Sequence, residues 1–186
     1  TLGVTGIGDG RTAASFDGAA SKGNIFGASF AAAFSGASGT IAAWARVSAA
    51  GVWTDGTSRT IVRIQADASN FVFLGRGTVN NNLDFRYNAA GTLEIVTPTV
   101  GPTTAWFHVA ITWSKAAEEV KFFVNGAQSG ATATALGIFA GAPAATTTVV
   151  GAQNTTPVAV WSGNLAHVAV WNTPLTAAQV ATLAVP

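Results

Sequence analysis

The sequence predicts an all-β fold, an antiparallel β-sandwich with one short C-terminal helix, on three observations. Runs rich in Val, Ile, Thr, Phe and Trp recur at intervals of about ten to fifteen residues, with Gly, Asn, Asp, Ser and Pro between them. Trp106–Ser114 and Val120–Asn125 form the clearest pair, joined by the polar connector Lys115–Glu119 and closed by the turn signal Asn125-Gly126. A hairpin of that length carries an apolar face that needs a second sheet over it. Thr176 and Gln179 stand at capping-box spacing, with Leu175 and Val180 placed as a hydrophobic staple, so a helix is expected over Thr176–Leu183.

In chain order, strands are expected at Thr12–Asp17, Gly23–Phe26, Thr40–Ser48, Arg59–Ala66, Phe71–Arg76, Leu83–Asn88, Thr92–Thr97, Trp106–Ser114, Val120–Asn125, Thr147–Ala152 and Gly163–Trp171. Asp67–Asn70, Asn80–Asn82 and Ala89–Gly91 have the composition of tight turns. Ala28–Ser35 has some helical character, and Ser129–Thr146, rich in Ala, Gly and Thr, is a long connection. Val109, Ile111, Phe122, Val124, Val168 and Val170 are expected to be mostly buried. No repeat or change of composition divides the chain, so residues 1–186 form a single domain in which 1–10 is a glycine-rich lead-in. That lead-in is free to pair with a neighbour or to join an upstream segment.

Composition narrows the function classes. Hydrophobic residues make up 49% of the chain and charged ones 9%, which allows a sizeable core and excludes a disordered tail. A net charge of +1 supplies no field for nucleic acid or a membrane surface. No apolar run reaches the ~18 residues of a membrane span, and no signal peptide is visible. The chain has no cysteine, so disulfides, thiolate nucleophiles and zinc–thiolate sites are excluded. It begins on Thr1 and contains no methionine, as expected of a processed product or of a piece of a longer one.

Several motifs, in order, carry a family resemblance. They are Ser15-Phe16-Asp17-Gly18, Gly39-Thr40-Ile41-x-x-Trp44, Trp106-Phe107-His108-Val109-Ala110-x-Thr112-Trp113, Val120-x-Phe122-x-Val124-Asn125-Gly126 and Trp161-x-Gly163-x-Leu165-x-x-Val168-x-Val170-Trp171-Asn172. In this order the chain resembles the laminin-G-like, concanavalin A-like lectin/glucanase domains. The resemblance implies a jelly roll of two antiparallel sheets, used for binding glycans or proteins and sometimes calcium. Two departures bear on calcium. Ala166 and His167 stand where an acidic pair often follows the Trp-x-Gly motif, and Ala19–Gly23 lacks the further acids often found after Phe-Asp-Gly. No cofactor is therefore expected, apart from a weak calcium site built from backbone carbonyls near Asp17.

Catalysis is not expected. Glycoside hydrolysis needs two carboxylates about 5–10 Å apart, and no Glu-x-Asp-x-Glu spacing puts two on one strand face. Glu118-Glu119 reads as a solvated turn. His108 and His167 are the only histidines, without a nucleophile-elbow Gly-x-Ser-x-Gly. His108 lies in an apolar strand and reads as a hydrogen-bonded structural residue. Trp53 lies in the polar loop Gly51–Ser58 beside Asp55, where it has the choice of stacking on a sugar ring, anchoring an oligomer or covering a sandwich edge. If Asp67–Asn70 is a tight turn, Arg63 and Arg76 fall on nearly opposed positions of one face. Alternation in Leu83–Asn88 puts Asp84, Arg86 and Asn88 together, opposite Leu83, Phe85 and Tyr87, so Arg63, Gln65, Arg76 and Arg86 suggest a polar sheet face. Trp53, Asp55, Arg63, Arg76 and Arg86 are thus the candidate glycan or interface residues. The resulting expectation is a non-enzymatic module of a virion surface or another extracellular setting, such as a phage head-decoration or tail-fibre domain. It would assemble with copies of itself and with other surface or virion proteins, and touch host glycans. The alternatives are a carbohydrate-binding module of a secreted bacterial enzyme or adhesin and, behind it, a glycan-cleaving enzyme.

Overall fold

The computed structural model describes residues 1–186. Its elements are β1 (Leu2–Thr5), β2 (Thr12–Asp17), β3 (Gly23–Asn24), α1 (Ala28–Ala33), β4 (Ser38–Val47), β5 (Arg59–Asp67), β6 (Asn70–Arg76), β7 (Leu83–Ala89), β8 (Thr92–Val96), β9 (Phe107–Ser114), β10 (Glu119–Val124), β11 (Ala127–Gln128), β12 (Ala133–Thr134), β13 (Val149–Val150), β14 (Ser162–Trp171) and α2 (Ala177–Leu183). They form two antiparallel sheets. The first runs β1-β2-β14-β4-β9-β10-β11, with β12 also on β10, and the second runs β3-β13-β5-β6-β7-β8.

Alternation explains which residues face inward. In the β9–β10 hairpin, Trp113 pairs with Val120 and Ile111 with Phe122, and all four are buried. In β7, Leu83, Phe85 and Tyr87 point inward while Asp84, Arg86 and Asn88 take the other face, as the sequence pattern indicated. Val109, Ile111 and Phe122 are fully buried, whereas Val124, Val168 and Val170 are half-buried and pack against the core. The buried tryptophans keep their indole N–H groups satisfied, a requirement of burial for this side chain. Trp113 donates to Ser35 O at 3.2 Å and Trp161 to Arg46 O at 3.1 Å. The Trp-x-Gly motif has a steric cause. Gly163 has φ +147, and a β-carbon there would run into Arg46 O and the Val47 backbone.

Helix α2 packs on the outside of the first sheet, where Val180 meets Ala42, Ala110 and Phe123. The small Ala42 and Ala110 let the helix approach. Its capping box forms as expected: Thr176 N donates to Gln179 Oε1 at 2.8 Å, and Gln179 N donates to Thr176 Oγ1 at 3.3 Å.

Several local expectations need correction. The lead-in contains a strand, β1, paired antiparallel with β2. The connection Ser129–Thr146 contributes the two-residue β12, and the strand expected over Thr147–Ala152 is reduced to Val149–Val150. The Trp53 loop contains a 3-10 turn, Ala50–Trp53. Most consequentially, Arg63 and Arg76 do not oppose each other. Arg63 pairs with Phe73, and Arg76 pairs with Arg59, because the β5–β6 ladder is interrupted between Thr60 and Val62 and again between Gln65 and Asp67. Arg76 shares the parity of the buried Val72 and Leu74 and points inward with them.

Candidate functional site

The five candidate residues divide into two groups. Trp53, Asp55 and Arg76 close one end of the sandwich. Trp53 and Arg76 are each 0% exposed. Arg76 Nη1 donates to Asp55 Oδ1 at 3.0 Å and also to Thr57 O, while Nη2 donates to Trp53 O at 2.6 Å. Arg59 Nη2 takes the other Asp55 oxygen at 2.6 Å. Trp53 Nε1 donates to Thr103 O. Neither ring nor guanidinium is reachable by a ligand or a partner, so Trp53 and Arg76 are corrected from contact residues to structural ones. Both oxygens of Asp55 are committed to the same cluster. The physical reason is that both Nη atoms of Arg76 and the indole N–H are hydrogen-bonded, which lets a cation and an indole occupy the core, while Nε of Arg76 and of Arg59 is left without a partner.

Arg63 and Arg86 remain on the outer face of the second sheet. Cross-strand pairing sets two rows there: Arg63–Phe73–Arg86–Ile95 and Gln65–Phe71–Asn88–Leu93. The Arg63 guanidinium lies 4.8 Å from the Phe71 ring centroid and 6.0 Å from Phe73, and Arg86 lies 5.9 Å from Phe73. These are cation–π distances, and the planar cations cover the rings. Arg86 forks onto Asp84, with Nε to Oδ1 at 2.8 Å and Nη2 to Oδ2 at 2.5 Å. Arg63 is held by Gln65 Oε1 at 2.9 Å and forms no ion pair. The hydrogen bond to Asp84 raises the Arg86 pKa. Burial, then the Arg86 charge, lowers that of Arg63.

Beside the Arg86–Asp84 fork lies a cleft of about 370 Å³, whose polar lining includes Ser58, Thr78, Asn82 and Thr97. Leu93 and Ile95 border the face, 42% and 47% exposed. Residues absent from the sequence-derived candidates therefore complete the site: Phe71, Phe73, Asp84, Leu93 and Ile95. The readable signal was the parity of β7, which already sets Asp84 beside Arg86.

Acidic residues are largely engaged elsewhere. Glu118 and Glu119 pair with Lys115 and Lys121, and Asp9 with His167. Asp17 Oδ1 accepts backbone N–H groups from Ala19, Ala20 and Ser21 at 2.9–3.0 Å, which hold its carboxyl well below the usual range. His108 is buried at 1% exposure, but its side chain makes no hydrogen bond and Nδ1 has no partner, contrary to the expected bonded role.

Burial pushes the His108 pKa down to about 4. The unfolded chain binds that proton near the ordinary value of about 6.5, so between the two values it holds more protons and stability rises with pH. Stability is expected to be full above about pH 6.5 and to fall by on the order of 2–3 kcal/mol as pH drops towards 4. Urea unfolding of His108→Phe should show a much flatter pH dependence. An unchanged slope would mean that other groups carry it.

The two packed antiparallel sheets place the chain among jelly-roll sandwiches, and sequence comparison agrees. Residues 16–181 match the Concanavalin A-like lectin/glucanases superfamily, and the chain belongs to it. No curated protein matches in sequence. Among solved structures, CBM40 of the Ruminococcus gnavus IT-sialidase, bound to α2,3-sialyllactose, is similar at TM-score 0.68 and 12% identity, covering 92% of this chain and 95% of that one. Domain 4 of AbnA, a GH43 extracellular arabinanase from Geobacillus stearothermophilus, in complex with arabinotriose, gives TM-score 0.66 and 18% identity over 99% of this chain and 81% of that one. A heptameric SAP-like pentraxin from Limulus polyphemus gives 0.59 and 21%, over 80% and 70%.

Proposed function

We propose that the chain is a non-enzymatic, extracellular glycan-binding module whose ligand lies across the outer face of the second sheet and carries a carboxylate. Arg63 carries this reading. Its guanidinium lies over Phe71 and near Phe73, has no acidic partner, and is half-buried on the outer face. A planar cation fixed in this way suits a carboxylate oxygen pair. Arg86 and Asp84 present further donors and acceptors, the adjoining cleft supplies hydroxyl and amide groups, and Leu93 and Ile95 offer apolar surface to a sugar ring. The glycan-bound states of two similar domains support the glycan-binding part of this reading. Its non-enzymatic part is supported by the carboxylates: Glu94 aside, each is tied to a cation, an amide or backbone N–H groups. The self-assembly expectation drew on the chain's low charge and on contact residues that included Trp53 and Arg76. With both in the core, the favoured reading is glycan contact. Calcium is not needed in it, because Asp17 is turned onto its own loop.

The test is a glycan array that spans sialylated, uronate-bearing and neutral glycans, followed by calorimetry in the presence of a chelator. Carboxylated glycans are expected to bind and to survive chelation, and Arg63→Ala and Arg86→Ala each to weaken binding at least tenfold with the urea midpoint nearly unchanged. Preference for neutral glycans would overturn the carboxylate. Wild-type affinity in both variants would move the site elsewhere. Polysaccharide cleavage by the purified domain would end the non-enzymatic reading.

A further inference from the structure

A second cavity, of about 350 Å³, lies on the opposite sheet, between the outer face of the first sheet, the end of α2 and the loop that follows β1. Its origin is a pairing of small residues. Ala169 on β14 lies opposite Ala42 on β4, while Trp44 and Trp171 stand on either side in the same ladder, opposite Ala166 and Thr40. Two short side chains between two indoles leave a slot with apolar walls. The Trp44 indole N–H donates to Leu183 O at 3.1 Å, which ties the end of α2 to the slot's rim.

The polar groups of the slot are few and specifically placed. The β14–β4 ladder carries an irregularity between Ala166 and Ala169, and His167 sits in it with a left-handed backbone, φ 49. A bulge of this kind re-aims a side chain, and holding a non-glycine residue in that conformation costs energy that its surroundings must supply. Here it brings His167 Nε2 to 2.9 Å from Asp9 Oδ2. Across the floor, His108 pairs with Trp44 between strands, packs edge-to-face on it at 5.5 Å, and keeps a buried Nδ1 without any partner. An unsatisfied buried ring nitrogen is uncommon enough to require a cause.

We infer that this slot binds a small single-ring apolar molecule bearing one hydroxyl, a phenol or a cycloalkanol, with its ring between the tryptophans and its hydroxyl on the imidazole of His108. The chemistry is chosen by counting. A pyranose carries several hydroxyls, and the apolar walls would leave most of them without partners, at a cost for each. The Asp9 carboxylate is already engaged by His167 Nε2 and by the Arg11 backbone N–H, so a free cation gains little. No three acidic or histidine side chains converge to hold a metal. A pocket that is mostly apolar with a few convergent polar groups is the usual form of a small-molecule site. The inference does not depend on the glycan-binding face, which lies on the other sheet.

Phenol, anisole and methyl α-glucopyranoside are the probes, and the Trp44 indole N–H resonance in a nitrogen–proton correlation spectrum is the reporter. Phenol is expected to shift that resonance saturably at millimolar concentration. Anisole, which has the same ring but no donor, is expected to bind at least tenfold more weakly, and the glycoside not at all. His108→Phe should erase the preference for phenol over anisole. Ala169→Phe, which fills the slot, should abolish binding of both, while Arg63→Ala leaves phenol binding unchanged. No saturable shift with phenol, equal binding of phenol and anisole to the wild-type chain, preference for the glycoside, or unaltered phenol binding in Ala169→Phe would each overturn the assignment.

Discussion

Replacing Trp53 with Ala is expected to cost about 3–5 kcal/mol of stability, the range for truncating a large buried aromatic. The indole is fully enclosed, packs on Phe107 with ring centroids 5.7 Å apart, and donates to Thr103 O at 2.6 Å. A β-carbon on Gly101 would stand only 2.6 Å from the ring, so the neighbouring loop already lies directly against it. Truncation leaves a cavity that a 3-10 turn on one side and that loop on the other cannot collapse to fill. Urea unfolding measures the loss as a shifted midpoint at constant slope. A surface tryptophan would change stability by only about 0.5 kcal/mol or less. A value in that lower range would mean that Trp53 is accessible after all.

Arg76→Met is expected to have a similar effect, about 3–5 kcal/mol, because removing one member of a buried ion pair leaves its partners uncompensated. The loss falls on the carbonyls of Trp53 and Thr57, and on an Asp55 left with the Arg59 guanidinium and the Thr57 backbone N–H. Asp55→Asn in the Arg76→Met background should cost less than it does in the wild-type chain, since the two side chains act together. Strict additivity would show that they do not. Neither variant should alter the glycan preference of the folded fraction, because the cluster lies inside one end of the sandwich and the Arg63 face lies outside it.

These two residues also show where sequence reasoning stops. The strand β7 alternates cleanly, Leu-Asp-Phe-Arg-Tyr-Asn, and its faces were legible, as were the β9–β10 hairpin and the capping box of α2. The strand β6, Asn-Phe-Val-Phe-Leu-Gly-Arg, is apolar on both faces, so nothing in it declares that Val72 and Leu74 face the core and Phe71 and Phe73 the outside. Without that parity Arg76 passes for a surface cation. Trp53 fails for another reason. Its local surroundings are polar, and its burial is decided by Thr103, Phe107 and Arg76, each at least 20 positions away in sequence. Of the candidate site, Arg63 and Arg86 were legible. The phenylalanines beneath them were not, because aromatic residues under arginine planes look like core in one dimension.

The place of β14 has a consequence for how the molecule is made. This strand lies between β2 and β4 in the first sheet, so that sheet has a gap at its centre until residues 162–171 have left the ribosome. Until then β2 and β4 each present an open hydrogen-bonding edge. Those edges wait on a partner about 120 or more residues away in the chain, a separation that slows closure and prolongs exposure to mispairing. Gly39, Ala42, Ala43 and Ala45 run along β4 on both of its faces, which leaves that edge little bulk with which to hold a foreign strand while it waits.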